Sequence, residues 1–362
     1  MNQEMDMKIN HLPAKTWNWL RMNVSEVKQV RAEKEAACRE ELPAQITAKT
    51  LSREEADRTL RTVKTGMGPD MDLLAEKSGF GIRSFETLPG AETEPLYLSY
   101  SYENGDRALN LVDLAARRDS RMTVIMDYSS DQKAEGLCAV RTRLLAEENA
   151  LLRLVQIDRL GSGMLCLNDV GAWCGENARI EIVHIFLGGG AVYQGCRTEL
   201  SGNGSSLQAD IGYLLEGSQR LDMNYNAVHL GKKTDSETNA SGVLKGEAFK
   251  LFRGTIDFQK GSAEAVGAEK EDVLLLDDGV VNQTIPLILC AEEDVKGSHG
   301  ASIGQLDEEA LFYMQARGLS EEAVYALMAR ARIEAVCQKI PDERTRRLVR
   351  ERLGGEAEDE CE

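Results

Sequence analysis

The chain has 362 residues, enough for two or more domains with a large core, yet it is only 5% aromatic and carries 32 glycines. Its 43 basic and 60 acidic side chains leave a net charge of -17, which opposes binding to a nucleic-acid backbone or an anionic membrane surface. No window holds the roughly 18 consecutive apolar residues of a membrane span, and the opening Met1-Asn-Gln-Glu-Met-Asp lacks the basic and apolar regions of a secretory signal, so a cytoplasmic protein with an aliphatic, turn-rich core is expected.

Residues 1–84 read as an N-terminal helical segment. The charged stretch from about residue 23 has capping boxes at Asn23/Glu26 and Ser52/Glu55, and a run from Met71 to Lys77 stops at Gly79. Upstream, Trp17 and Trp19 follow Leu12 and Pro13 and are expected to pack on the next domain.

Between about 85 and 305 the pattern changes to short β-branched or alternating runs separated by Gly, Asn and Asp. Examples are Met122 to Met126, Leu151 to Ile157, Ile180 to Phe186 and Val273 to Leu276. One repeat is visible: Glu148-Asn149-Ala150 through Val155-Gln156-Ile157 recurs as Glu176-Asn177-Ala178 through Val183-His184-Ile185, an offset of 28 residues. Such a period suggests a solenoid, whose coils stack equivalent side chains into aliphatic ladders and need no aromatics. A sandwich fits a single repeat pair almost as well. Gly188-Gly189-Gly190 lacks dinucleotide-loop spacing and reads as a solenoid turn.

Helical signals return over 306–353. Asp307 caps a first helix whose first turn carries Glu308 and Glu309; Ser320 opens a second with apolar positions Val324, Leu327, Met328, Ala331 and Ala335; Pro341 marks the first turn of a third. That last helix carries Arg344, Arg346, Arg347, Arg350 and Arg352, read as a solvated face balanced by an acidic tail at 354–362 that is expected to be disordered.

Catalytic motifs are largely missing. Gly231-Lys232-Lys233-Thr234 has Asn226 where a phosphate loop needs its first glycine, and neither G-x-S-x-G nor H-E-x-x-H occurs. The eight cysteines show no C-x-x-C pair and read as free thiols. Cys290 and His299 lie nine residues apart on either side of an acidic turn, and thiolate with imidazole suits iron or an iron-sulfur cluster. Two ligands do not complete a site. After Leu287-Ile288-Leu289, Cys290 also reads as a small buried hydrophobe, while His299, between Gly297 and Gly300, reads as a surface-turn histidine at the end of the strand-rich region. His184 and His229 lie in strand-like runs and read as satisfied buried or surface residues.

The run Asp294-Val295-Lys296, Ser298-His299-Gly300-Ala301, Gly304-Gln305-Leu306-Asp307-Glu308, Leu311-Phe312-Tyr313 and Arg317-Gly318 resembles the C-terminal signature of the SufB/SufD family of iron-sulfur cluster assembly proteins. The resemblance extends from about Val140 to Leu319 and on through the C-terminal helices. It implies a mostly β fold, a right-handed parallel β-helix flanked by N-terminal and C-terminal helical segments, with the β-helix over 85–305. Where scaffold members carry a cysteine 28 residues before the equivalent of His299, this chain has Glu271; where they carry a second one after the strand ending near Val155, it has Asp158. Asp294-Val295-Lys296-Gly297-Ser298-His299 matches the SufD branch at all but Gly297.

The resemblance therefore implies a non-catalytic, dimer-forming SufD-like subunit that pairs with a SufB-type scaffold, or with a second copy of itself, and docks a SufC-type ATPase. His299, Cys290 and Glu271 are the cluster or interface candidates, with His299 the metal-ligand candidate. Leu311, Phe312, Tyr313, Arg317, Gly318, Val324, Leu327 and Met328 are the ATPase-docking candidates. A cluster would be transient and shared with the partner, with none held stably by the isolated chain. Reduced flavin, suggested for some members, has no motif here that assigns it. Two alternatives are a stand-alone SufB-like homodimeric scaffold using Cys290, and a β-helix carbohydrate-active enzyme, for which no carboxylate pair stands out.

Overall fold

The computed structural model describes residues 4–15, 20–60 and 63–354, so Trp17, Trp19 and the acidic tail beyond Gly354 lie outside the described residues. The N-terminal region differs from the helical segment its charge suggested. It contains an antiparallel pair, β1 (Met5–Ile9) with β2 (Ser25–Val30), then β3 (Ala37–Glu41) and β4 (Ile46–Leu51), and only afterwards the helices α1 (Arg53–Leu60) and α2 (Pro69–Ser78). The Ser52/Glu55 capping box forms, with the Ser52 N–H donating to Glu55 Oε2 at 2.9 Å and the Glu55 N–H to Ser52 Oγ at 3.4 Å. No helix begins at Asn23/Glu26: Ser25 and Val27 turn inward and Glu26 and Lys28 outward, as in a strand. Gln29, at φ 55°, adds a bulge that returns Val30 to the core; this broken alternation hid the strand.

From Ile82 the chain winds into a parallel β-solenoid of about eight turns. One sheet stacks β5 (Ile82–Thr87), β7 (Arg107–Ala116), β9 (Glu135–Ala146), β11 (Gly163–Cys174), β13 (Ala191–Leu200), β15 (Arg220–His229), β17 (Phe249–Phe258) and β19 (Val281–Cys290). The other stacks β6 (Leu96–Tyr102), β8 (Arg121–Ser130), β10 (Leu151–Arg159), β12 (Arg179–Phe186), β14 (Ser206–Leu215), β16 (Asp235–Leu244), β18 (Ala265–Leu275) and β20 (Val295–Gly304). β4 and β3 add antiparallel to β5 and β6 and close the first coil.

The 28-residue repeat is one coil. β10 and β12 pair from Leu151↔Arg179 to Asp158↔Phe186, so each residue lies beside its repeat equivalent. Asn149 and Asn177 occupy the same left-handed turn position, φ 58° and 52°, which asparagine tolerates better than most residues.

The first helix of the C-terminal group is α3 (Glu308–Ala316), capped by Asp307; α4 (Glu321–Cys337) follows, capped by Ser320, and then α5 (Glu343–Arg352), capped by Asp342. Pro341 precedes the α5 cap instead of entering its first turn, which leaves Asp342 free to accept from the Thr345 N–H. The buried stripe of α4 also differs from the expected one: Val324, Ala329, Ile333, Val336 and Cys337 are inside, Met328 is half-buried, and Leu327 is 50% exposed. Ile333, Val336, Cys337, Ile340 and Val349 lie on Ile125, Val155, Ile157, Val183 and Ile185, on the outer face of the second sheet. Those strands therefore carry apolar residues on both faces, which is why runs such as Leu154-Val155 and Ile182-Val183 break strict alternation. The arginines of α5 are tied down as well. Arg344 stacks on Tyr97 and binds Glu41 through two bonds of 2.7 and 2.9 Å, and Arg350 reaches Glu334 at 2.7 Å.

On the first sheet, Asp169 is fully buried and accepts a 2.8 Å bond from the Met67 N–H, anchoring the turn before α2. Burial is the main force pushing its carboxyl from 3.8 up to about 7. Since the folded value lies above the unfolded one, the stabilising protonated state is complete below pH 3.8 and lost as pH rises through about 7. Asp169→Asn keeps the acceptor and removes the ionisation, so its urea midpoint should fall less than wild type between about pH 5 and about pH 8. Equal falls would rule this carboxyl out as the source.

Candidate functional site

The solenoid interior changes character along its axis. One ladder of stacked positions runs Val124, Leu154, Ile182, Ala209, Thr238, Glu269 and His299, passing from aliphatic to charged. A second runs Ile211, Ala240, Glu271 and Ala301, and on the opposite sheet Val192 and Leu221 give way to Lys250. The aliphatic ladder thus ends in a buried charge cluster one coil below the end of the solenoid.

In this cluster Lys250 on β17 pairs with Glu271 on β18, and both side chains are fully buried. Thr284 Oγ on β19 donates to Glu271 Oε2 at 2.7 Å and accepts from Lys250 Nζ at 3.1 Å. Burial draws the Lys250 ammonium below its ordinary value, against the opposing pull of Glu271. Glu269 is 3% exposed, and burial, reinforced by the charge of Glu271 and opposed by Lys250, pushes it up to about 8. Its Oε1 has no hydrogen-bond partner and lies 3.4 Å from His299 Nδ1. A Cβ at Gly254 would fall 1.7 Å from Glu269 Oε2, so the glycine makes the slot that holds the carboxyl.

His299 lies in the middle of β20, not in a turn, because β20 continues in register along β18 to Gly304. Its side chain is 26% exposed. Cys290 is exposed at the end of β19, contrary to the buried hydrophobe expected after three aliphatic residues. No coil covers this last turn: β19 contains no buried residue and every residue of β20 after Val295 is exposed. Pro286, which cannot donate to a sheet, is tolerated in β19 as an edge strand. Cys290 and His299 sit on opposite sheets, and among the described residues no three His, Cys, Asp or Glu side chains are grouped to hold a metal ion.

Asp158, at the other position singled out in sequence, is 3% exposed, accepts from the Leu160 N–H, and is pushed by burial up to about 6. His184 and His229 are fully buried, lowered by burial to about 3 and about 4, with Nδ1 bonded to Tyr225 and Thr234 respectively. They stay neutral and take part in packing.

Of the docking candidates, Phe312 is 73% and Tyr313 58% exposed, with Arg317 stacked on the Tyr313 ring 4.9 Å away and Gly318 turning the chain at φ 95°. Leu311 is half-buried and Leu327 exposed. Val324 is fully buried and offers no surface, while half-buried Met328 packs toward Val243 and Leu274, so these two hold α4 on the solenoid.

The description "SUF system FeS cluster assembly, SufBD core domain" matches residues 103–332, from the turn before β7 through most of α4. The chain belongs to the SufBD family. It is 26% identical to the iron-sulfur cluster assembly protein SufD of Bacillus subtilis over 252 residues, covering 69% of this chain and 58% of that protein. It is 30% identical to a SufBD family protein of Mycobacterium tuberculosis over 125 residues, 34% of this chain and 15% of that one. A chloroplastic SufBD family protein of Arabidopsis thaliana is 27% identical over 173 residues, 48% and 31% of the two chains. The chain thus spans less than two thirds of the length of these relatives. Within the family it is SufD-like, and no described helix is long and apolar enough to cross a membrane.

Glu269 and Lys250 were missed in sequence because Glu269-Lys270-Glu271-Asp272 reads as a solvated charge run. The available signal was the alternation: in a strand, 269 and 271 share one face, and that face continues the aliphatic ladder. Lys250→Met strands Glu271 in the interior and should cost about 3–5 kcal/mol in urea denaturation, whereas Lys250→Met/Glu271→Met should recover most of the loss. A double variant as unstable as the single one would show that the pair is not the coupled unit.

Proposed function

We propose that this SufD-like chain is a non-catalytic, cytoplasmic subunit of an iron-sulfur cluster assembly complex. It pairs its last coil with a SufB-type scaffold and presents α3 to a SufC-type ATPase. The observation that carries this reading is the uncovered terminal coil, where His299, its side chain about a quarter exposed, stands over the buried carboxyls of Glu269 and Glu271. An edge with unpaired N–H and C=O groups on two strands can accept a partner's strands. Imidazole is a competent iron ligand, and Glu271, held by Lys250 and Thr284, is not free to replace a thiolate. The cluster is cargo assembled across the interface, with thiolate supplied by the scaffold and ATP hydrolysis by the ATPase.

Co-purification with a SufB-type and a SufC-type protein, followed by anaerobic absorption spectroscopy, tests the reading. The isolated chain reconstituted with iron and sulfide should stay colourless, and the complete complex should develop a cluster chromophore. His299→Ala should leave the melting temperature and complex formation nearly unchanged while lowering that chromophore. A stoichiometric chromophore on the isolated chain, lost in Cys290→Ser, would favour the homodimeric scaffold instead.

The docking element has its own test. Deleting everything after Gly304 would also strip α4 and α5 from the second sheet, so point changes are cleaner. Phe312→Glu with Tyr313→Glu should weaken ATPase capture by at least about tenfold without altering the thermal melt. Capture at wild-type strength would place the ATPase elsewhere.

A further inference from the structure

Glu269 stands apart from the other buried carboxyls of the chain's end. Glu271 has Lys250 and Thr284; Glu269 has one oxygen with no partner, although it is 3% exposed. That oxygen faces one atom of the open surface, His299 Nδ1, at 3.4 Å, from the position directly opposite in the β18–β20 ladder. Its other oxygen occupies the space a side chain would take at residue 254, so the carboxyl reaches this position only because residue 254 is glycine.

We infer that Glu269 is the positioning residue of His299: beside Gly254, its Oε1 accepts from Nδ1–H and fixes the tautomer in which Nε2 presents its lone pair to a ligand outside the solenoid. A histidine that binds metal through one nitrogen commonly donates its other N–H to a carboxylate, which sets the ring orientation and raises its basicity. The charged groups around the pair are Glu271, one alternate residue along β18, and Lys250 across the interior. With Lys250 committed to Glu271, the N–H of His299 is the donor available to Glu269 on this face. The inference rests on the reading of His299 as an iron ligand, but its first test does not.

In the full chain labelled with 15N-histidine, two-dimensional NMR at about pH 8.5 reports the tautomer of each of the four histidines, with His299→Ala assigning the signal. Wild type should show His299 protonated on Nδ1. Glu269→Ala should release it toward the Nε2–H form that an unrestrained imidazole prefers, and Glu269→Gln, whose amide oxygen still accepts, should retain the Nδ1–H form. Gly254→Ala leaves Glu269 in the sequence but fills its slot, and should shift the tautomer as Glu269→Ala does, giving a second route if that variant folds poorly. A His299 tautomer unchanged in both Glu269→Ala and Gly254→Ala, or already Nε2–H in wild type, overturns the inference. Cluster yield in the complete complex then separates the two readings. If Glu269→Ala lowers it about tenfold, in step with His299→Ala, positioning and ligation both hold. If the tautomer shifts but neither variant changes the yield, positioning holds and the ligand role of His299 fails.

Discussion

Backbone hydrogen bonding between successive coils is the constraint on which the rest of this molecule depends. In a parallel stack each interior strand has a neighbour on both sides, so unpaired donors and acceptors can occur only at the two ends. The two ends differ in strand direction: at the first, β3 and β4 lie antiparallel on β6 and β5, and at the last, β20 and β19 continue the parallel stack; each of these strands has a neighbour on one side only. The last coil therefore presents unpaired backbone donors and acceptors along β19 and β20.

The placement of charge follows the same asymmetry. Desolvating a carboxylate or an ammonium is expensive, and a buried pair is weak evidence for stability. Here Lys250, Glu269 and Glu271 replace aliphatic positions only in the last coils, while the middle of the solenoid keeps Ile182, Ala209 and Leu221 in the same ladders. Buried charge also occurs elsewhere, as in the Arg253–Asp222 and Arg143–Asp113 pairs, but in these interior ladders it falls in the last coils, and His299 lies directly above it.

The C-terminal helices complete the fold in a way a simple solenoid with appended helices would not. α4 and α5 run back across the second sheet, covering Val155, Ile157, Val183 and Ile185, and Arg344 ties the last helix to Glu41 of the capping strand β3. The last helix is thus fastened beside β3, and the sheet's outer face is part of the core. α3, lying before this strap, keeps Phe312 and Tyr313 in solvent.

Local chemistry made much of this legible. The 28-residue offset between Glu148–Ile157 and Glu176–Ile185 is the inter-coil register itself, since stacking places like on like, and the caps at Ser52, Asp307 and Ser320 form because each needs only residues within one turn. What sequence could not decide was set by contacts between distant residues. The strand at Ser25–Val30 has its alternation broken by a bulge that exists only against β1; the buried face of α4 was chosen by the shape of the sheet beneath it; Cys290 is exposed because no further coil exists to cover it. Glu269 and His299 are 30 residues apart and meet because one coil lies on the next. Their pairing is a property of the stack, which arises from long-range hydrogen bonding and not from any neighbouring residue in the chain.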